Sequence, residues 1–97
     1  MSKIRESARG QDCQVRIPYV CTHNPETTIW SHARWAAAGK GMGKKALDLC
    51  GAYCCTACDA AYDQMQGPHD MTRAQLDLAW CAGHFRSLVI LAEKGLI

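Results

Sequence analysis

The cysteines constrain this chain more than any other feature. Seven fall within 97 residues, and three of them, Cys54, Cys55 and Cys58, crowd the run AYCCTACDAAYDQ from Ala52 to Gln64. A chain this short buries only a modest share of its unfolded surface, so a staple helps it. The odd count fits a framework of paired disulfides poorly. The opening MSKIRESARG is polar and charged rather than a signal peptide, and no apolar run approaches the ~20 residues of a membrane span. These features predict a cytoplasmic protein with no membrane partner, where clustered cysteines more often hold metal than disulfides. The length predicts a single domain over residues 1–97.

A formal charge of +2, from 11 basic and 9 acidic residues, does not by itself require a nucleic-acid partner. Its distribution is more informative. Lys3, Arg5, Arg9, Arg16, Arg34, Lys40, Lys44 and Lys45 make the N-terminal half basic, whereas the segment from Asp48 to Asp77 is acidic.

Along the chain, residues 2–9 suit one short helix. CQVRIPYVC, bounded by Cys13 and Cys21, reads as a short strand and turn, and HNPETT as a turn. TTIWSH is β-branched and aromatic and predicts a strand over 27–32 that ends at His32. AAAGKGMGKK, residues 36–45, is a glycine-rich basic loop that lacks P-loop spacing. Thr56 is placed to cap a helix reaching about Gln66, which Gly67-Pro68 ends. Thr72 and Gln75 form a capping-box pair, and Leu76, Trp80, Gly83, Ser87 and Leu91 then share one face of a long helix stopped at Gly95. Leu78, Phe85 and Val89 make a second apolar side, which suggests a homodimer contact through this helix.

Three readings of the cysteines compete. A redox pair at Cys55-x-x-Cys58 requires a buried parallel strand before it, and that pattern is missing. A set of unligated core cysteines is the second. The third is structural zinc: Cys13 and Cys21 flank a turn, Cys55 and Cys58 sit at a helix start, and two such pairs supply the four thiolates of a closed tetrahedral site. Cys54 substitutes for Cys55 only with a less usual Cys-x3-Cys spacing. Cys50 and Cys81 read as buried apolar residues.

His32, at the end of a strand and before a basic loop and a helix start, has the setting of a ββα-metal arrangement. In such a unit a strand histidine activates water and the following helix holds a divalent ion, and the reaction is phosphodiester hydrolysis. The remaining histidines have plainer readings: His23 as solvent-exposed, His69 as a loop residue, His84 as a packing or interface residue. Trp30 and Trp35 read as core.

The strings ARGQDCQVRIPYVC, NPETT followed by SHAR, GMGKKALDL, GAYCCTACD and GHFRSLVILAEKGLI give the chain a resemblance to the YbcO-like prophage nucleases, a group related to HNH (His-Me finger) endonucleases. The resemblance implies an α+β fold: a small zinc-stapled ββα-metal core with a long C-terminal helix. It implies that Cys13, Cys21, Cys55 and Cys58 hold structural Zn²⁺, that His32 is the general base, and that Asp48 orients it. The position after the second helix cysteine, usually His in this pattern, is Asp59, which implies a site for catalytic Mg²⁺ or Mn²⁺ with an oxygen ligand. Ser31 precedes the candidate base where many HNH enzymes have a second metal ligand, and Asp63 lies one turn beyond Asp59. DNA is the implied substrate, in a bacterial host cytoplasm, with Arg34, Lys40, Lys44 and Lys45 on its backbone. A catalytically inactive zinc module that binds nucleic acid or a phage protein is the alternative.

Overall fold

A computed structural model describes residues 3–97. Helix α1 spans Lys3–Glu6, strand β1 Thr28–His32, strand β2 Gly51–Cys55, helix α2 Thr56–Gln64 and helix α3 Arg73–Glu93, with single 3₁₀ turns at Pro25–Thr27 and Ala36–Ala38. The result is a small α+β arrangement, a two-stranded antiparallel sheet followed by a short helix and a long one. Thr28 pairs with Cys55, Trp30 with Tyr53 and His32 with Gly51.

The long helix follows its local sequence signals. The Thr72 hydroxyl accepts from the Gln75 backbone N–H at 3.2 Å, and the Gln75 side chain accepts from the Thr72 N–H at 2.8 Å, so the capping box satisfies donors at both ends of the first turn. Leu76, Trp80, Gly83, Ser87 and Leu91 are its buried residues. The helix ends at Glu93, the Lys94 N–H caps it by bonding the Ile90 carbonyl at 2.9 Å, and Gly95 follows with φ +72°. Leu78, Phe85 and Val89 lie exposed on the opposite side. No helix of the described residues is long and apolar enough to cross a membrane.

Other expectations need correction. The segment from Cys13 to Cys21 is two successive turns rather than a strand. Arg16 and Tyr19 adopt left-handed φ of 53° and 65°, and the N–H groups of Val20 and Cys21 both bond to the Ile17 carbonyl. Val15 and Ile17 are buried and Arg16 is exposed, so turns here imitate the alternation of a strand. The cap of α2 is Cys55, whose Sγ accepts from the Cys58 N–H at 3.4 Å, not Thr56, and the helix ends two residues short of Gln66. Helix α1 is shorter than the predicted 2–9: turns replace helix from Ser7 on, and Ser2 lies outside the described residues. Cys50 and Cys81 are half-buried against the main core rather than fully enclosed.

Two apolar clusters sandwich the sheet. The larger joins the turn residues Val15 and Ile17 to Cys54, Tyr62, Leu76 and Trp80. The smaller joins Ala8, Trp30, Tyr53 and Leu91 and fixes the N-terminal segment, helped by a 2.6 Å hydrogen bond between the Ser7 and Tyr53 hydroxyls. Trp30 packs edge-on against Tyr53, and Trp35 is edge-on to both Tyr62 and Trp80, so both tryptophans serve packing.

Candidate functional site

The two cysteine pairs converge. The sulfurs of Cys13, Cys21, Cys55 and Cys58 all lie within 4.8 Å of one another. A tetrahedral zinc with bonds near 2.3 Å places its sulfurs about 3.8 Å apart, so a contraction of about 1 Å closes the site. The backbone supports it on both sides. Cys13 Sγ receives the Arg16 N–H at 3.5 Å and Cys55 Sγ the Cys58 N–H at 3.4 Å, the same three-residue spacing in each half. Among the described residues no other group of three or more histidine, cysteine or acidic side chains is close enough to share an ion.

The electrostatics of the sulfurs suit a cation. Hydrogen bonds from the Cys54 and Cys58 thiols hold Cys13 far below the ordinary thiol range, and the same bonds to Cys13 push Cys54 and Cys58 well above it. Burial, with repulsion from Cys13 and Cys55, pushes Cys21 up to about 11. Without a cation, Cys21 and Cys58 are therefore disposed to keep their protons. A divalent ion is what lets four thiolates coexist. Cys54 hydrogen-bonds into the cluster but is not one of its four converging sulfurs. His23 is exposed, with Nδ1 3.8 Å from Cys21 Sγ.

His32 is placed by the register of β1. Consecutive strand residues face opposite ways. Trp30 and His32 therefore turn toward the loop before β2, where the Trp30 indole N–H donates to the Asp48 carbonyl at 2.7 Å and His32 Nε2 donates to Asp48 Oδ1 at 2.8 Å. With Nε2 bonded to a carboxylate, the neutral imidazole keeps its lone pair on Nδ1. Asp48 Oδ2 also faces Arg5 Nε at 3.6 Å. Gly51, opposite His32, has no room for a side chain, since a Cβ would lie 2.4 Å from the Trp30 indole nitrogen.

Ser31 turns the other way. Its hydroxyl donates to Asp59 Oδ1 at 2.6 Å and accepts from the buried Trp80 indole N–H at 3.0 Å. Asp59 is thus joined to Ser31, not to His32, and Asp63 is exposed further along α2. His84 stacks on Trp80 and donates from Nδ1 to the Gly51 carbonyl at 2.6 Å, a packing role at the end of the sheet. His69 accepts the Met71 N–H in its loop.

The basic residues separate. Lys40, Lys44 and Lys45 are exposed. Arg34 is half-buried, its backbone N–H bonded to the Tyr62 hydroxyl and its Nε enclosed without a partner. A cleft of about 390 Å³ on the His32 side is lined by Lys45 together with Arg5, Arg9, Glu26 and Trp30. Sequence reasoning counted Arg5 and Arg9 only as part of a basic half. Arg9 lies in the turn that follows α1, so no helical spacing links it to Arg5.

These features define a small α+β protein with four converging cysteines able to hold a metal ion and a separate histidine–aspartate pair. The chain belongs to the YbcO family: residues 2–96 match the family model described as "Putative nuclease YbcO". It is similar to proteins named "Putative nuclease YbcO" from Escherichia coli (strain K12) and "Putative nuclease ybcO" from Enterobacteria phage 82, each 36% identical over 97 residues, covering 100% of this chain and 98% of the relative. A solved structure titled "Structure of a putative bacteriophage protein from Escherichia coli str. K-12 substr. MG1655" aligns with a TM-score of 0.76 and 33% identity, covering 96% of this chain and all of that one.

Proposed function

We propose that the protein is a metal-dependent endonuclease that hydrolyses DNA phosphodiester bonds, with His32 as general base. The observation that carries this reading is the His32–Asp48 hydrogen bond. It fixes the imidazole, leaves Nδ1 to accept a proton from water, and opposes the imidazolium that forms with a carboxylate. Lys40, Lys44 and Lys45, all exposed, supply positive charge for the DNA backbone, with Arg34 contributing beside its buried Nε. Cys13, Cys21, Cys55 and Cys58 hold structural zinc that joins the N-terminal turns to α2 and thereby supports the sheet that carries His32.

The fit for a second, catalytic ion rests on Asp59. Its Oδ1 accepts the Ser31 hydroxyl, and one carboxylate is a ligand set that Mg²⁺ or Mn²⁺ completes with water and substrate phosphate. Such an ion, when bound, neutralises charge on the phosphate and the leaving oxygen. Ser31 holds Asp59 in place, and Trp80 holds Ser31. Leu78, Phe85 and Val89, exposed on α3, are the surface we assign to self-association.

A second reading is supported by the same contact. Ser31, Asp59 and Trp80 satisfy one another without an ion, as they would in a zinc module that binds nucleic acid without cutting it. Nicking of supercoiled plasmid by purified protein with Mg²⁺, Mn²⁺ or no divalent ion separates the two. The nuclease nicks only with the ion present. Absence of nicking under all three conditions, with zinc still bound, favours the binding module.

A further inference from the structure

The cleft beside His32 is built from elements far apart in sequence. Its walls come from the α1 segment (Arg5, Ala8, Arg9), from the approach to β1 and β1 itself (Glu26, Thr28, Ile29, Trp30, His32) and from the loop residue Lys45. At about 390 Å³ it is of the size that small ligands occupy. The α1 wall is fixed, since Ala8 is buried against Trp30, Tyr53 and Leu91 and Ser7 bonds to the Tyr53 hydroxyl. Arg9 is therefore held near the histidine by packing around it.

The cations in the cleft are not equivalent. Arg5 shares its charge with Asp48. Among the described residues neither Arg9 nor Lys45 makes an ion pair, and both are exposed. Glu26 is the one carboxylate in the lining, and Asp48 stands behind His32 between that histidine and Arg5. The pair left over is thus positive and lines a cleft that also includes Trp30 and the His32 imidazole.

We propose that this cleft seats the sugar–phosphate backbone of the nucleic acid, with Arg9 and Lys45 as its phosphate contacts. The inference rests on the nuclease reading above and adds to it where the strand lies: across α1, over the Asp48 side of β1. A guanidinium carried by a packed turn offers a directed pair of donors to phosphate oxygens, and the flexible lysine opposite supplies a point charge.

The test is fluorescence anisotropy with a labelled DNA duplex and zinc-loaded full-length protein, without added Mg²⁺ or Mn²⁺, over 50–200 mM KCl. Arg9→Gln and Lys45→Gln should each weaken binding several-fold. Each should also make the slope of log affinity against log salt shallower by about 1, whatever the duplex sequence. Lys94→Gln, beyond the end of α3 and outside the cleft, should bind as wild type does. If wild type binds and both cleft variants match Lys94→Gln, this inference is overturned and the nuclease reading stands. If wild type binds no DNA at all, both are overturned.

Discussion

Gly83 offers a prediction whose sign depends on tertiary packing. In an exposed helix, replacing glycine by alanine stabilises by about 1 kcal/mol. Here the added Cβ would lie 2.6 Å from Val15 Cγ2, 2.9 Å from Val15 Cα and 3.0 Å from Val15 N. Two of those atoms are backbone of the turn that carries Cys13, so no rotamer change relieves the contact. Overpacking of this kind costs roughly 1–3 kcal/mol. Set against the helix gain, Gly83→Ala should be net destabilising by up to about 2 kcal/mol. For a chain of this size that lowers Tm by up to about 15 °C. Because the turn that moves also carries Cys13 of the proposed zinc site, affinity for zinc should fall with it. Val15→Ala in the Gly83→Ala background removes Cγ2 but leaves Cα and N in place, so rescue should be partial. Thermal unfolding of the zinc-loaded variants reads all of this. A Gly83→Ala protein as stable as wild type, or more so, would refute the packing argument.

Two further outcomes follow from the site. Elemental analysis should find one zinc per chain, Cys58→Ser should lose it, and acidification should release it. The sign follows from proton competition: all four sulfurs must be deprotonated to bind, and Cys21, pushed up to about 11, already holds its proton tightly. Zinc that persists in Cys58→Ser would contradict the four-cysteine site. Asp48→Asn keeps the shape of the His32 partner but removes its charge, so cleavage should fall at least ~10-fold, up to the roughly 10²–10⁴ that general acid–base catalysis contributes. Unchanged rates in single-turnover nicking would remove Asp48 from the mechanism.

What the sequence made legible was what is encoded locally. The capping box and the 3.6-residue spacing from Leu76 to Leu91 were enough to define α3, because a helix on a core shows its period over any two turns. TTIWSH marked β1 to within one residue for a similar reason, with β-branched and aromatic residues bounded by a turn. Strand β2 left no such trace. Gly51 to Cys55 is buried on both faces, so it lacks the alternation that marks a strand. The four converging cysteines were legible from spacing, although the Cys13–Cys21 half owes its closure to left-handed turns at Arg16 and Tyr19, which non-glycine residues do not advertise. Arg9 was legible only as one basic residue among several. Its place beside His32 is set by Ala8 packing under Leu91, more than 80 residues away in sequence.

The central claim is that His32 activates water for phosphodiester cleavage, and the most direct measurement is plasmid nicking by His32→Ala beside wild type, with Mg²⁺ or Mn²⁺ and matched zinc content. The account predicts divalent-dependent nicking by wild type and a loss of about 10²-fold or more in the variant, with its fold and zinc unchanged. Nicking by His32→Ala at the wild-type rate would contradict it.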